Sequence, residues 1–306
     1  MEVIQYSPDL LKPLTDFYNN LIQDVPYCYP VSINQFELVL KDLTGNLEDN
    51  DNKELDGETV FVIRNKCIVE AFVHIGTVSY KTSEEIGGII KFLGYKRGSR
   101  EAGQTAYNKA EEYLKENNAT RIFAFPKQYK YPMYHYSYAY LSNSLDHIVA
   151  LFGKNGYSHC NGQIFLDWKN YNVNPTEPEP TIPIELKLDW KDGKGKLQNC
   201  NLTAFLNGEE IGQCWTHSCG EFTNHQEVQD WVYIDWLGVE REFQGRGLGK
   251  YLLEYTLYEL KKVGYKHTTL STNWDNYRAF LFYTNLGFRV IDWTYEYEKT
   301  FKDESS

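Results

Sequence analysis

Nowhere does the sequence approach the ~20 consecutive apolar residues a helix needs to cross a bilayer, so no helical membrane protein and no membrane partner are expected. The first residues, Met1-Glu2-Val3-Ile4-Gln5, lack the basic leader and apolar stretch of a signal peptide, and the expected location is cytoplasmic. Basic residues are in deficit, 31 Lys and Arg against 42 Asp and Glu, for a net charge of −11. Such a surface repels phosphate backbones, so no nucleic-acid partner is expected, although a local basic pocket for a phosphorylated group stays compatible with it. The acidic balance also suits a cationic ligand.

Cysteine is sparse. Six residues spread over 306 make no disulfide framework. Only Cys214-Trp-Thr-His217-Ser-Cys219 invites a zinc reading. In a strand, alternation would point Cys214 away from His217 and Cys219, so no metal is expected.

A length of 306 residues, 42% of them hydrophobic, supplies core material for roughly two domains of ~100–200 residues each. Prolines concentrate in Asn174-Pro-Thr-Glu-Pro-Glu-Pro-Thr-Ile-Pro183, which can join neither a helix nor a central strand and reads as a semi-rigid linker. The expected division is 1–174, a linker at 175–183, and 184–306. The acidic segment Glu48–Glu58 reads as a solvated loop.

The same order of elements occurs on both sides of the linker. A hairpin is predicted at Val60–Arg64, Asn65-Lys66 and Cys67–Ile75, and another at Leu202–Leu206, Asn207-Gly208 and Glu210–His217. A third strand follows (Gly88–Tyr95; Trp231–Val239), then a helix (Gly103–Asn117; Gly247–Val263) and a further strand (Arg121–Phe125; His267–Thr272). A second helix ends each copy at a glycine-aromatic pair (Gly156-Tyr157; Gly287-Phe288), where a left-handed helix stop is usual. The fold class is therefore α+β (mixed α/β), as an internal duplication. Only the first copy has a helix-forming stretch, Pro8–Gln23, before its hairpin, and it alone inserts the tyrosine-rich Tyr129–Tyr140.

The segment Tyr233-Ile-Asp-Trp-Leu-Gly-Val239, followed by Glu-Arg-Glu-Phe-Gln244-Gly-Arg-Gly247-Leu-Gly249-Lys250, reads as a strand, a glycine-rich turn and a helix start. Unpaired amides and the positive end of the helix dipole favour a phosphate there, with Arg246 and Lys250 adding positive charge. A Walker loop lacks its first glycine, because position 244 is Gln244, and its hydroxyl, because Tyr251 follows Lys250. A dinucleotide fingerprint starting at Gly245 fails because Lys250 replaces its last glycine.

Gln244-x-x-Gly247-x-Gly249 after a strand resembles the acyl-CoA motif of the GNAT acyltransferases. Asn276-Tyr-Arg-Ala279-Phe-Leu-Phe-Tyr283-Thr-Asn-Leu-Gly287-Phe288 is similar to that family's second signature, and together the two motifs span residues about 182–300. The resemblance implies two GNAT-like domains, each a twisted, mostly antiparallel mixed sheet flanked by helices. It also implies acetyl-CoA or a related acyl-CoA as donor and a small-molecule or peptide amine as acceptor. The amides of Gly245, Arg246, Gly247, Leu248, Gly249 and Lys250 would hold the pyrophosphate. The main chain at Leu237, Gly238 and Val239 would pair with the pantetheine arm, provided this strand splays from the next, and Asn276 would touch that arm.

Tyr283 would be the acid that protonates the leaving thiolate, a role its phenol suits chemically. Alternation places Tyr233, Asp235, Leu237 and Val239 on one face, where Asp235 is the only carboxylate and the expected base. On the neighbouring strand, where some relatives have a glutamate, this chain has Ser271. His217 and Glu221 are outside candidates for the base, each reading rather as a solvated residue. In the first copy, aligning Arg97 with Gln244 puts Arg100 at the Gly247 position and Ala102 at Gly249, while Phe152 replaces Tyr283. That copy is expected to be degenerate, with a structural or substrate-shaping role in which Tyr129–Tyr140 either packs or roofs the acceptor. The alternative to an enzyme is a CoA-binding sensor without turnover.

Overall fold

The computed structural model describes residues 1–41, 55–80, 85–177 and 183–301. Residues 48–54 of the acidic segment and 178–182 of the proline-rich stretch lie outside the described residues. In chain order the elements are β1 (Glu2–Gln5), α1 (Leu11–Ile22), α2 (Ile33–Lys41), β2 (Asp56–Asn65), β3 (Ile68–Ser79), β4 (Ile86–Tyr95), α3 (Arg100–Glu116), β5 (Ala119–Ala124), β6 (Leu141–Ser142), α4 (Asp146–Lys154) and β7 (Ser158–Trp168). Then come β8 (Glu185–Lys191), β9 (Asn199–Leu206), β10 (Glu209–Ser218), β11 (Trp231–Val239), α5 (Leu248–Lys262), β12 (His267–Asn273), α6 (Tyr277–Leu286) and β13 (Arg289–Thr300). The fold is mixed α/β with mostly antiparallel sheets.

Two compact units result. Unit 1 comprises Met1–Gln163, Asn273–Asp275 and Asp292–Ser306; unit 2 comprises Ile164–Thr272 and Asn276–Ile291. This differs from a division at the prolines. The proline-rich stretch is not where compactness divides, because strand pairing outweighs local chain stiffness. In unit 1, β5 pairs antiparallel with the end of β13, Tyr297 facing Ala124. In unit 2, Thr269 Oγ1 of β12 donates to the Leu166 carbonyl of β7 at 3.0 Å. Each unit thus completes its sheet with a strand end supplied from the other half of the sequence.

The unit 1 sheet runs β1-β2-β3-β4-β5-β13, antiparallel except for the parallel β4–β5 pair. Helix α3 lays Ala102, Ala106, Ala110 and Leu114, four residues apart, against β3 and β4. On α1, Leu14, Tyr18 and Ile22 repeat the same spacing and are buried. The unit 2 sheet runs β12-β11-β10-β9-β8, and α5 buries Leu248, Leu252, Leu253, Leu257 and Leu260. Each such leucine removed from water contributes about 1.5–3 kcal/mol, so packing rather than propensity fixes this helix.

Both units carry a β-bulge at the same point. In unit 2, Trp215 pairs with Trp236 but Thr216 pairs with Ile234, leaving Asp235 as the extra residue. In unit 1, His74 pairs with Phe92 but Ile75 pairs with Ile90, leaving Lys91 extra. An inserted residue shifts the two-residue phase of a strand. Asp235 therefore does not share a face with Leu237 and Val239, as plain alternation predicts. Leu237 and Val239 lie opposite Cys214 and Gly212, and the Val239 side chain reaches toward Gly249 at the start of α5. Tyr233 lies opposite His217, on the other face.

Two further expectations are corrected, and for the tyrosine-rich stretch one of two alternatives is met. Glu58 is no loop residue: it sits in β2, buried, 2.7 Å from His74 Nε2 and 2.6 Å from Lys91 Nζ. Burial works to raise the Glu58 carboxyl pKa, but the His74 hydrogen bond and the Lys91 charge bring it below its ordinary value. The tyrosine-rich stretch is core rather than roof, with Tyr131, Tyr134 and Tyr136 buried and Tyr131 stacked on Phe92 at 5.1 Å. Strand β10 ends at Ser218, and buried Cys219 opens a 3-10 turn instead of continuing the alternation.

Candidate active site

The site lies wholly in unit 2, where β11 parts from its parallel neighbour. Strands β11 and β12 pair from Trp231–His267 to Ile234–Leu270 and no further, although β11 continues to Val239. From Asp235 onward, one edge of β11 has no strand partner among the described residues. Into this opening faces a cleft of about 660 Å³ lined by Trp236, Leu237, Gly238, Val239, Gln244, Gly245, Gly247, Gly249, Lys250, Asn276, Arg278, Ala279, Phe282 and Tyr283.

One wall is the glycine turn. Gly245 and Gly247 have φ of +75° and +83°, a region that L-residues with a Cβ rarely enter. Gly247 is the N-cap of α5, and the first helical bond runs from the Tyr251 amide to the Gly247 carbonyl at 3.0 Å. The amides of Leu248, Gly249 and Lys250 consequently have no helical acceptor. Gln244 Nε2 donates to the Val239 carbonyl at 2.8 Å, which ties the turn to the end of β11. Lys250 lies 3.8 Å from Glu254, one helical turn on.

The opposite wall is α6. Asn276 caps it, with Oδ1 accepting from the Ala279 amide at 3.2 Å, so the side-chain NH₂ is left to donate elsewhere. Tyr283 is 8% exposed and packed against Phe282 and Phe288, and among the described residues its hydroxyl has no hydrogen-bond partner. Burial, with a smaller contribution from Cys214, raises its pKa, so the phenol holds its proton at neutral pH.

Asp235, Tyr233 and His217 gather at the bulge. His217 Nε2 lies 3.7 Å from Asp235 Oδ2, and the Tyr233 hydroxyl lies 2.8 Å from Ser271 Oγ. The nearby Asp235 carboxylate, opposed by burial and aided by the Glu221 charge, holds the His217 pKa above its ordinary 6.5. His217 is thus the partner of Asp235 rather than a solvated bystander.

Of the residues expected to bind cofactor, ten line the cleft and two, Arg246 and Leu248, do not. The side chain of Leu248, the first residue of α5, is buried, and Arg246 is exposed. Trp236, Arg278, Ala279 and Phe282 line it unanticipated. For the last three the signal was available: Asn276, Ala279 and Tyr283 recur at helical spacing, which brings their neighbours on α6 to the same wall. Among the described residues no group of three or more His, Cys, Asp or Glu side chains is placed to hold a metal.

In the unit 1 counterpart the strand end is tied down, although a cavity of about 670 Å³ lies beside it, lined by Lys96, Arg97, Leu145 and His147 with residues of α1. Strands β4 and β5 also stop pairing, at Ile90–Ala124, while β4 runs on to Tyr95. There the Tyr95 hydroxyl donates to the His147 carbonyl at 2.7 Å, His147 Nε2 meets the Tyr95 carbonyl at 3.0 Å, and Arg97 pairs with Asp146 at 2.6 Å. Ser99 occupies the N-cap position of α3, without a side-chain capping bond, and the helix start, not Arg97, sets the correspondence. Ser99 stands at the Gly247 position and Glu101 at Gly249, one residue from the sequence-based alignment, because the loop leading into α3 is shorter.

Residues 165–288 match the sequence profile described as Acetyltransferase (GNAT) family. No curated protein sequence matches the chain. Among solved structures, the chain is similar to a tandem GNAT protein from the clavulanic acid biosynthesis pathway, with TM-score 0.61, 14% identity and coverage of 99% of both chains. It is likewise similar to a GCN5-related N-acetyltransferase from Sphaerobacter thermophilus, with TM-score 0.58, 14% identity, and coverage of 98% of this chain and 95% of that one. A third similarity is to a GCN5-related glucosamine N-acetyltransferase region of a fungal multi-domain GH3 β-N-acetylglucosaminidase, with TM-score 0.61 and 14% identity; 97% of this chain spans 38% of that one. At such identities these likenesses establish fold alone. Residues 165–288 form a domain of the GNAT acetyltransferase family, within a chain whose fold over nearly its whole length is that of a tandem GNAT protein.

Proposed function

We propose that the chain is an acyl-CoA-dependent N-acyltransferase, moving an acetyl or short acyl group to a primary amine on a small molecule or peptide, with its chemistry confined to unit 2. The observation that carries this reading is the cleft itself, which joins free helix-start amides, an unpaired strand edge and a buried phenol in one space of about 660 Å³. The residues present fit coenzyme A: a Cβ built on Gly245 meets nothing within 4 Å, and the amides of Leu248, Gly249 and Lys250 converge with the Lys250 charge on a place for a diphosphate. The free edge of β11 at Leu237, Gly238 and Val239 would pair with the amides of the pantetheine arm, and Asn276 would donate its NH₂ to it.

Bound acyl-CoA supplies an acyl thioester, whose carbonyl carbon the amine attacks and whose sulfur departs. Tyr283 holds its proton until a sulfur anion develops beside it, and gives it up there. The carboxylate of Asp235, with His217, forms the proton-accepting side. Unit 1 in this reading binds no coenzyme A and serves the fold.

The test is calorimetry with coenzyme A, followed by thiol release from acetyl-CoA across a panel of amines. Binding with turnover on some amines is expected. Binding with no thiol release on any amine would favour a sensor, and no binding would end both readings.

A further inference from the structure

The sheet face that carries Asp235 differs between the units in what covers it. In unit 1, α1 and α2 press aromatic rings onto it: Phe17 and Phe36 meet Phe72 at 5.9 and 6.4 Å, and Tyr18 meets Phe92 at 5.5 Å. Matching the bulges places Phe72 at Gln213, His74 at Trp215, Gly76 at His217 and Phe92 at Trp236. Among the described residues unit 2 has no helix between β8 and β10 to cover those positions. Trp215 and Trp236, directly opposed across the strand pair, are 38% and 56% exposed. Large apolar rings left in water beside a polar group mark a binding surface more readily than a fold requirement. Trp236 also lines the cleft, so the pair sits where the cleft meets the acidic bulge.

We propose that Trp215 and Trp236 seat the alkylammonium group of the acceptor, and that His217 is the base that deprotonates it, with Asp235 as the residue that positions the imidazole. This rests on the acyltransferase reading and deepens it at the acceptor side. The faces of two tryptophans attract a cation, and the Asp235 and Glu221 carboxylates add to that attraction. Nε2 lies 3.7 Å from Asp235 Oδ2, beyond direct hydrogen-bond reach but close enough for the carboxylate charge to orient the ring and favour its protonated form. An ammonium must lose a proton before it can attack. That proton passes to the neutral imidazole and then to water. A second proton leaves the nitrogen as its bond to the acyl carbon forms and the carbon–sulfur bond breaks, replacing the one Tyr283 gives to sulfur. The groups facing His217 are Asp235 and Tyr233 from β11, with Tyr233 bonded to Ser271 of β12, and Glu221 from the turn after β10. All the charged ones are acidic, so the imidazole is a stronger base than in water and is neutral only at the upper end of its titration.

The experiment is an NMR titration of the full chain labelled with ¹⁵N-histidine, with n-butylammonium chloride as probe. His217 should titrate above 6.5, and Asp235→Asn should move its midpoint down toward that ordinary value. Asp235→Glu should keep the midpoint raised, which guards against misreading a folding defect. Butylammonium should saturably lower the midpoint, because a bound cation repels the imidazolium, and Trp236→Leu should abolish that response. Thiol release should rise with pH through the same midpoint, follow it downward in Asp235→Asn, and fall by about 100-fold in His217→Gln. A His217 midpoint indifferent to Asp235→Asn, or to butylammonium, would overturn the proposal. Coenzyme A affinity, measured separately, keeps this failure distinct: intact binding leaves the acyltransferase reading standing, and its loss in the wild type removes that reading instead.

Discussion

The two units place one extra residue at the same point of the same strand, and fill the resulting opening in opposite ways. In unit 1 that residue is Lys91, neutralised by a buried Glu58 beside His74, while Phe92, Phe125, Tyr131 and Tyr134 pack where the strands part. In unit 2 it is Asp235, partly exposed and facing His217, and the space beyond stays open as the cleft. The backbone device is common to both. What separates a core from a site is side chain: aromatic rings and a tied-down strand end in one, three glycines and free amides in the other. A duplicated fold can therefore keep its splayed strands as architecture after the cleft they make has been filled.

Exchanging the distinguishing residues tests that comparison. The largest effect is expected from Lys91→Asp in unit 1, which gives it unit 2's residue. Two carboxylates would then share a buried place with no cation, a loss of about 3–5 kcal/mol, read as a lowered denaturation midpoint. Stability unchanged within error would mean that Glu58 is not held by Lys91. The Glu58–His74–Lys91 cluster also fixes a pH dependence: because the Glu58 pKa is depressed, its contribution is present above the ordinary 4.5 and fades as pH falls through the folded value.

Next is Gly249→Glu, which copies Glu101 into unit 2. A Cβ at 249 meets only Val239 Cγ2, at an ordinary 3.6 Å, so the fold should tolerate it. A carboxylate facing a diphosphate should weaken coenzyme A by about 4 kcal/mol, roughly a thousandfold, by calorimetry. Wild-type affinity would move the diphosphate elsewhere. Smallest is Tyr283→Phe, which copies Phe152. It should slow thiol release by about 100-fold while leaving coenzyme A affinity nearly intact; an equal fall in affinity would make the phenol a binding group instead.

Much of this was legible beforehand. The repeated strand–turn–helix order, the glycine turn, the splay it demands and the Asn276–Tyr283 signature are local patterns: glycines answer to φ, and helical spacing answers to a 3.6-residue turn. The helix start at Gly247 falls where its glycines put it. Tyr283 falls on the cleft wall because seven residues separate it from Asn276 along one helix face. The single-residue slip from Arg100 to Ser99 at the Gly247 position shows the limit of the same method, since loop length is set by where the helix can dock.

What the sequence determined alone was an α+β duplication with one glycine-rich turn fit for a diphosphate and one signature helix beside it. Tertiary structure decided the rest. Asp235 and Lys91 became bulge residues only through the register of β10 and β3 against their neighbours, and one unpaired residue reverses every face that follows it. Pairing with β5 and β12 drew the ends of β13 and β7 into units that the proline-rich stretch would not assign them to. Both are choices among long-range strand partners, made by backbone hydrogen bonds between residues far apart in the chain.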